Sequence, residues 1–127
     1  MAVKVLIVDY CILARIVAAK ALAELQPEWT KVEAGSAAQA HELLDGGEIV
    51  DIALVDFNMT EKDGLEFAGE LRAAHPTMPI AIITANIQDE VIARARAIDA
   101  TFVPKPVTAE ALQGFISGAA LRLRKSS

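Results

Sequence analysis

The sequence predicts an α/β fold, a doubly wound parallel sheet of five strands covered by five helices, and three observations lead to it. Short β-branched runs alternate with longer helical patterns from one end of the chain to the other. Val5 to Val8 and Ile80 to Ile83 are apolar at consecutive rather than alternate positions, the pattern of strands buried on both faces. Breakers separate the units: Pro27, Gly46 with Gly47, Gly64, Pro76 with Pro79, and Pro104 with Pro106.

The first strand is read over Val3 to Val8 and the first helix over Ile12 to Gln26, with Ile12, Ile16, Ala19 and Ala23 as its apolar stripe. A weaker strand over Thr30 to Ala34 follows Pro27, and a second helix over Ala37 to Asp45 runs up to the paired glycines. Ile52 to Val55 forms the third strand and Gly64 to His75 the third helix. The fourth unit is the strand Ile80 to Thr84 with the helix Asp89 to Ile98, whose apolar side is Val91, Ile92, Ala95 and Ile98. Thr101 to Val103 is the last strand, and the helix Ala109 to Arg124 carries the stripe Leu112, Phe115, Ile116, Ala119 and Leu123. Right-handed crossovers place such helices on both sides of the sheet. Ligands of these sheets bind beyond the C-terminal ends of the strands, where the winding direction reverses.

Composition bounds the function. A chain of 127 residues fits one domain, read here as residues 1–127, which hides roughly two-thirds of the surface of the unfolded chain. Hydrophobic content is 54% but aromatic content only 5%, so aliphatic side chains fill the core. Asp9, Arg15, Lys20 and Glu24 interrupt the apolar N-terminal stretch, and no run reaches the length of a membrane span. The opening VKVLIV is too short for a signal peptide. Cys11 is the only cysteine, so no internal disulfide forms, and a cytoplasmic protein is expected. A net charge of -5 argues against nucleic acid as a direct partner. The basic run Arg122, Arg124 and Lys125 complements the negative end of the last helix.

The polar residues that end the strands carry the chemistry. The first strand ends in Asp9, the third in Asp56 and the fourth in Thr84, while the fifth runs into Lys105. Singly, Asp9 and Thr84 read as helix caps, Asp56 as a turn residue and Lys105 as a solvated cation. Together, two acids, a hydroxyl and an amine at matching ends of neighbouring strands describe a site. Two close carboxylates repel, and a hard cation such as Mg²⁺ relieves that repulsion. A lysine and a hydroxyl can hold phosphoryl oxygens, and a carboxylate can accept phosphate covalently. The loop Asp9-Tyr10-Cys11-Ile12-Leu13 has no glycine, which excludes a P-loop, a dinucleotide fingerprint and a flavin phosphate loop there.

In their order and spacing, VLIVDY, LVDFNMTEKDG, IITAN and FVPKPV resemble the receiver domains of two-component response regulators, over nearly the whole chain. The single-domain, CheY-like type is the nearest form. The resemblance implies a flavodoxin-like (βα)5 sheet of order 2-1-3-4-5, and a non-enzymatic protein whose catalysis is limited to its own phosphorylation and dephosphorylation. It implies Asp56 as the phosphoacceptor, supplied by a histidine kinase or phosphotransfer protein, and an unknown protein target downstream. Mg²⁺ would be held by Asp9, Asp56 and the main-chain carbonyl of Asn58. Thr84 and Lys105 match the hydroxyl and lysine that contact the phosphoryl group. Ala85 matches a small residue that leaves access open, and Asn58 and Asn86 the side chains that tune dephosphorylation. Asp63 and Gly64 match the turn closing the acceptor loop, and Phe102 the aromatic switch residue coupled to Thr84. The family's Lys-Pro bond, here Lys105 to Pro106, is often cis.

This chain departs from the family pattern at three positions. Tyr10 stands where a second acid usually does, removing a negative charge and a hard oxygen ligand, which implies weaker Mg²⁺ binding. Thr60 replaces a proline and frees a backbone donor. Phe102 has no hydroxyl and so loses no hydrogen bond on burial. Tyr10 motivates an alternative, a pseudo-receiver that keeps the fold as a protein-interaction module with impaired Mg²⁺ binding and phosphorylation. An aspartyl-phosphate hydrolase of the haloacid dehalogenase type would need an acid where Cys11 stands. Cys11 reads as a small half-buried residue, and His41 and His75 as surface residues.

Overall fold

The computed structural model describes residues 3–59, 63–85 and 88–126, with side chains described through residue 123. Thr60, Asn86 and the side chains of Arg124 and Lys125, singled out from the sequence, lie outside the described residues. The elements run β1 (Lys4–Val8), α1 (Ile12–Leu25), β2 (Thr30–Ala34), α2 (Ala37–Asp45), β3 (Ile52–Asp56), α3 (Gly64–Ala74), β4 (Ile80–Thr84), α4 (Asp89–Ala97), β5 (Thr101–Pro104) and α5 (Ala109–Ser126). All strand pairs are parallel, in the order β2-β1-β3-β4-β5. The expected order is therefore found, and each element ends within two residues of its expected boundary.

Strand alternation divides the core in two. Leu6, Val8, Ala53, Val55, Ile80 and Ile82 face α2, α3 and α4, where Phe67, Leu71 and Val91 meet them. The intervening residues Val5, Ile7, Ile52, Leu54, Ala81 and Ile83 face α1 and α5, against Leu22, Leu112 and Ile116. Every residue of β3 and β4 is buried, which accounts for their unbroken apolar sequence. The chain leaves β1 toward β2 on one side and returns to β3 on the other. The reversal thus falls between the C-terminal ends of β1 and β3.

Local signals set the helix starts. The Ser36 hydroxyl accepts from the Gln39 N–H and opens α2, the Asp63 carboxylate accepts from the Glu66 N–H and opens α3, and the Thr108 hydroxyl accepts from the Ala111 N–H at α5. Arg72 ties two helix ends together by donating to the carbonyls of His75 and Pro76 after α3 and of Ile98 and Asp99 after α4.

One expected stripe is wrong. Ile12 and Ile16 of α1 are exposed and Ala19 and Ala23 only half-buried, whereas Ala18, Ala21 and Leu22 pack on the sheet. The helix ILARIVAAKALAEL is apolar on nearly every side, so periodicity cannot choose its buried face. Contact with β1 and α5 chooses it instead. The α5 stripe stands, with Leu112, Phe115, Ile116 and Ala119 all buried. Val91 and Ala95 of α4 are buried, and Ile92 and Ile98 are half-buried. His75 is exposed at the end of α3, and His41 is half-exposed, 2.8 Å from Glu70 and edge-on to the Phe67 ring.

Candidate functional site

The four strand-end residues meet at the C-terminal edge of the sheet. Asp56 closes β3 and is 1% exposed, Asp9 follows β1 at 6%, and Thr84 closes β4 with no exposure. Lys105 reaches across from the end of β5, its ammonium 2.9 Å from Oδ1 of Asp56 and 3.4 Å from Oδ2 of Asp9. Main-chain bonds hold this arrangement: the Asp9 N–H donates to the Ala34 carbonyl, Phe57 to Ile83 and Lys105 to Thr84. The Lys105–Pro106 peptide bond is cis, as the resemblance implied.

Asp9 is oriented from two sides. Its Oδ1 accepts the Cys11 N–H at 2.9 Å, which leaves Oδ2 toward Lys105. Arg15 donates from Nη1 to the Asp9 carbonyl and from Nε to Glu33. Sequence reading missed Arg15, because nothing in its spacing announces a guanidinium folded back on the end of β1.

Asp56 is electrostatically costly. Beyond the ion pair with Lys105, only the backbone of Asn58 approaches its carboxylate, and neither oxygen accepts a well-formed hydrogen bond among the described residues. Burial pushes its pKa above the usual 3.8 against the pull of Lys105, and the charge of Asp9 adds to the rise. Burial works to lower the pKa of Lys105, but its contacts with Asp56 and Asp9 outweigh that and raise it above 10.5. The pocket therefore holds a carboxylate whose charge burial disfavours, a firmly protonated lysine and a second acid.

The loop after Asp56 is closed by a turn. The Gly64 N–H donates to the Phe57 carbonyl at 2.9 Å, and a Cβ at position 64 would lie 2.1 Å from the Asp56 carbonyl oxygen. Glycine is thus required by close approach. Asp63, beside it, caps α3 and pairs with Arg94 of α4 at 3.2 Å.

The remaining expected residues sit at the rim or away from it. Ala85 and the Asn58 side chain are exposed, and Phe102 is half-buried against the core on the α2–α4 side. Tyr10 is 58% exposed, its ring given to solvent. Among the described residues no three His, Cys, Asp or Glu side chains converge as a metal-binding group. The donor set available to a divalent cation is the carboxylates of Asp56 and Asp9, of which only Asp56 has unsatisfied oxygens, and the backbone of Asn58. Its chemistry suits Mg²⁺ with fewer charges than a three-acid pocket offers. Among the described residues no helix is long and apolar enough to cross a membrane.

Two buried aspartates beside the switch point of a 2-1-3-4-5 sheet, with a lysine reaching them from the end of β5, are the features to set beside known proteins. The family profile described as the response regulator receiver domain matches residues 5–117. The chain belongs to that family. It is 34% identical over 128 residues to the cyclic di-GMP phosphodiesterase response regulator RpfG of Xanthomonas campestris, covering 97% of this chain and 33% of RpfG. It is 35% identical over 82 residues to the sensor protein TorS of Escherichia coli, covering 64% of this chain and 9% of TorS. The chain thus spans a third or less of these relatives. Among solved structures, the chemotaxis protein CheY4 of Vibrio cholerae superposes with a TM-score of 0.80 at 24% identity, over 94% of this chain and 99% of that one. A CheY-like receiver domain protein from Methanospirillum hungatei reaches 0.85 at 17% identity, over 98% and 99%.

Proposed function

We propose that this chain is a phosphorylatable receiver in which Asp56 accepts a phosphoryl group from a histidine kinase or phosphotransfer protein and passes a conformational signal to a protein target. The observation that carries this reading is the Asp56 carboxylate, 1% exposed yet poorly hydrogen-bonded, with the Lys105 ammonium at 2.9 Å. A structural aspartate so buried would have its oxygens satisfied.

In the transfer, an Asp56 oxygen attacks phosphorus as the P–N bond to the donor imidazole breaks, and the electron pair stays on the imidazole nitrogen, which takes up a proton. Lys105 neutralises charge on the transferring oxygens, and Thr84 contacts them. Ala85 keeps the approach open, while the side chains of Asn58 and Asn86 govern the access of water that later hydrolyses the acyl phosphate. Mg²⁺, held by Asp9, Asp56 and the Asn58 carbonyl, would supply further charge neutralisation. Phe102 is the element that relays a shift of Thr84 to the surface of α4, β5 and α5. Chemistry is limited to the chain's own phosphoryl group, so it is not an enzyme acting on a separate substrate.

Incubation with acetyl phosphate and Mg²⁺, followed by intact-mass measurement, is expected to show one phosphoryl group per chain. An unchanged mass, together with failure to bind beryllofluoride, would favour the pseudo-receiver reading, which Tyr10 motivates. The metal site separates the two further. Tyr10→Asp is expected to tighten Mg²⁺ binding by about tenfold or more, since it adds a carboxylate beside Asp9. Equal affinities, measured by fluorescence or calorimetric titration, would mean that the pocket does not use position 10.

A further inference from the structure

Beside the Asp9 and Lys105 pair lies a cavity of about 390 Å³, open to solvent along the edge formed by Val17 and Ala85. Its walls are Ile7 of β1, Ala14 and Ala18 of α1, Ile83 of β4, and Val107 beyond the cis bond. The space arises from the way α1 is turned. Its large residues Leu13 and Ile16 go to solvent, 72% and 52% exposed, and Ala14, Ala18 and a half-exposed Val17 are left to line the space. The two alanines are too short to fill the gap between the helix and the loop that carries Lys105, and Val17 stands at its open side.

The chemistry of the walls selects the occupant. Apart from Asp9 and Lys105 the lining side chains are all apolar, and those two are ion-paired with each other. A charged molecule would lose its hydration against carbon walls and find no uncommitted partner. An apolar molecule loses nothing there, and the cavity has more than twice the roughly 150 Å³ that suffices for benzene in an engineered protein cavity. We propose that this cavity is a binding site for a small, uncharged, predominantly apolar molecule of one or two rings. Lys105, Pro106 and Val107 form one wall, so an occupant stiffens the segment that holds Lys105 against Asp56. Binding stands independently of the phosphorylation reading, whereas this coupling to Asp56 rests on it.

The test uses the full chain with indole as the probe, followed by methyl NMR. Saturable shifts are expected at the methyls of Ile7, Ala14, Ala18, Ile83 and Val107. Ala14→Leu fills the cavity from a half-buried position, and Ala18→Leu from a buried one; either is expected to weaken binding about tenfold or more. Ile16→Ser, on the outer face of α1, should bind as the wild type does. The site is overturned by the absence of saturation, by shifts confined to Leu13 and Ile16, or by both filled variants binding like wild type. Concentration-dependent shifts of the same methyls without indole would give the cavity to a second copy of the chain and also overturn it. The coupling is read from the rate of acetyl phosphate labelling, which saturating indole should change in the wild type and not in Ala14→Leu. An unchanged rate ends the coupling. No labelling in either protein ends both the coupling and the acceptor reading, and leaves the indole result to decide the site.

Discussion

Asp56→Asn is expected to abolish labelling by acetyl phosphate and at the same time to raise the melting temperature by several degrees. The first effect follows from losing the nucleophilic carboxylate, since an amide does not form the acyl phosphate. The second follows from the cost of the charge. Asp56 has its pKa raised in the folded state, mainly by burial, so the folded protein binds that proton more tightly than the unfolded chain does. Its contribution to stability therefore falls as pH rises from about 3.8 through the raised folded value, above which the full cost is present. Asparagine keeps the shape without the charge. The pH dependence of the melting temperature in this window should accordingly be steeper in the wild type than in the variant.

Lys105 works with the opposite sign. Its raised pKa gives stability that is fully present below 10.5 and is lost as pH climbs through the folded value. In Asp56→Asn the ammonium keeps Asp9, 3.4 Å away, as its partner, so alkaline destabilisation should persist in weakened form. Persistent labelling of the variant would show that another residue is the acceptor. A lower melting temperature would show that the Lys105 pair outweighs the burial cost, contrary to the geometry.

Gly64→Ala is expected to cost about 3 kcal/mol and to lower the melting temperature by roughly 10 °C. The added Cβ would lie 2.1 Å from the Asp56 carbonyl oxygen and 2.9 Å from the Phe57 Cα. Both neighbours are backbone, so no side-chain rotation relieves the clash. Either α3 moves away from the sheet or the acceptor loop shifts, and the second outcome also slows labelling of Asp56. Gly69→Ala supplies the internal control. It lies five residues along the same helix, a Cβ there meets nothing within 4 Å, and the substitution should stabilise by about 0.5–1 kcal/mol through helix propensity. Equal effects at the two positions would mean that close packing at Gly64 is not what requires glycine. Differential scanning calorimetry or urea unfolding measures both.

The signals legible in the sequence were short-range ones. Consecutive apolar runs at β1 and β4, breakers between units, and an ordered set of strand-end residues led to the parallel sheet and to the meeting of Asp9, Asp56, Thr84 and Lys105, while the strand order came from the family resemblance of the motifs. In a parallel sheet each strand end lies beside the next, so polar residues at matching ends converge whatever the helices do. The motif LVDFNMTEKDG likewise marked Gly64, and the structure supplies the steric reason.

The face of α1 was not legible. Nearly every position of that helix is apolar, and the choice of Ala18, Ala21 and Leu22 over Ile12 and Ile16 was made by packing against β1 and α5. From that choice follow the exposed Leu13 and Ile16 outside and the apolar cavity beneath Ala14 and Ala18. The role of Arg15 on the Asp9 carbonyl, and the strain on a buried Asp56, were decided in the same way. The sequence by itself determined which chemical groups stand at the sheet edge, because where each strand ends and which residue ends it are local properties. The tertiary structure alone decided how far each is buried and what lies behind them, because burial depends on which helix face the rest of the chain leaves room for.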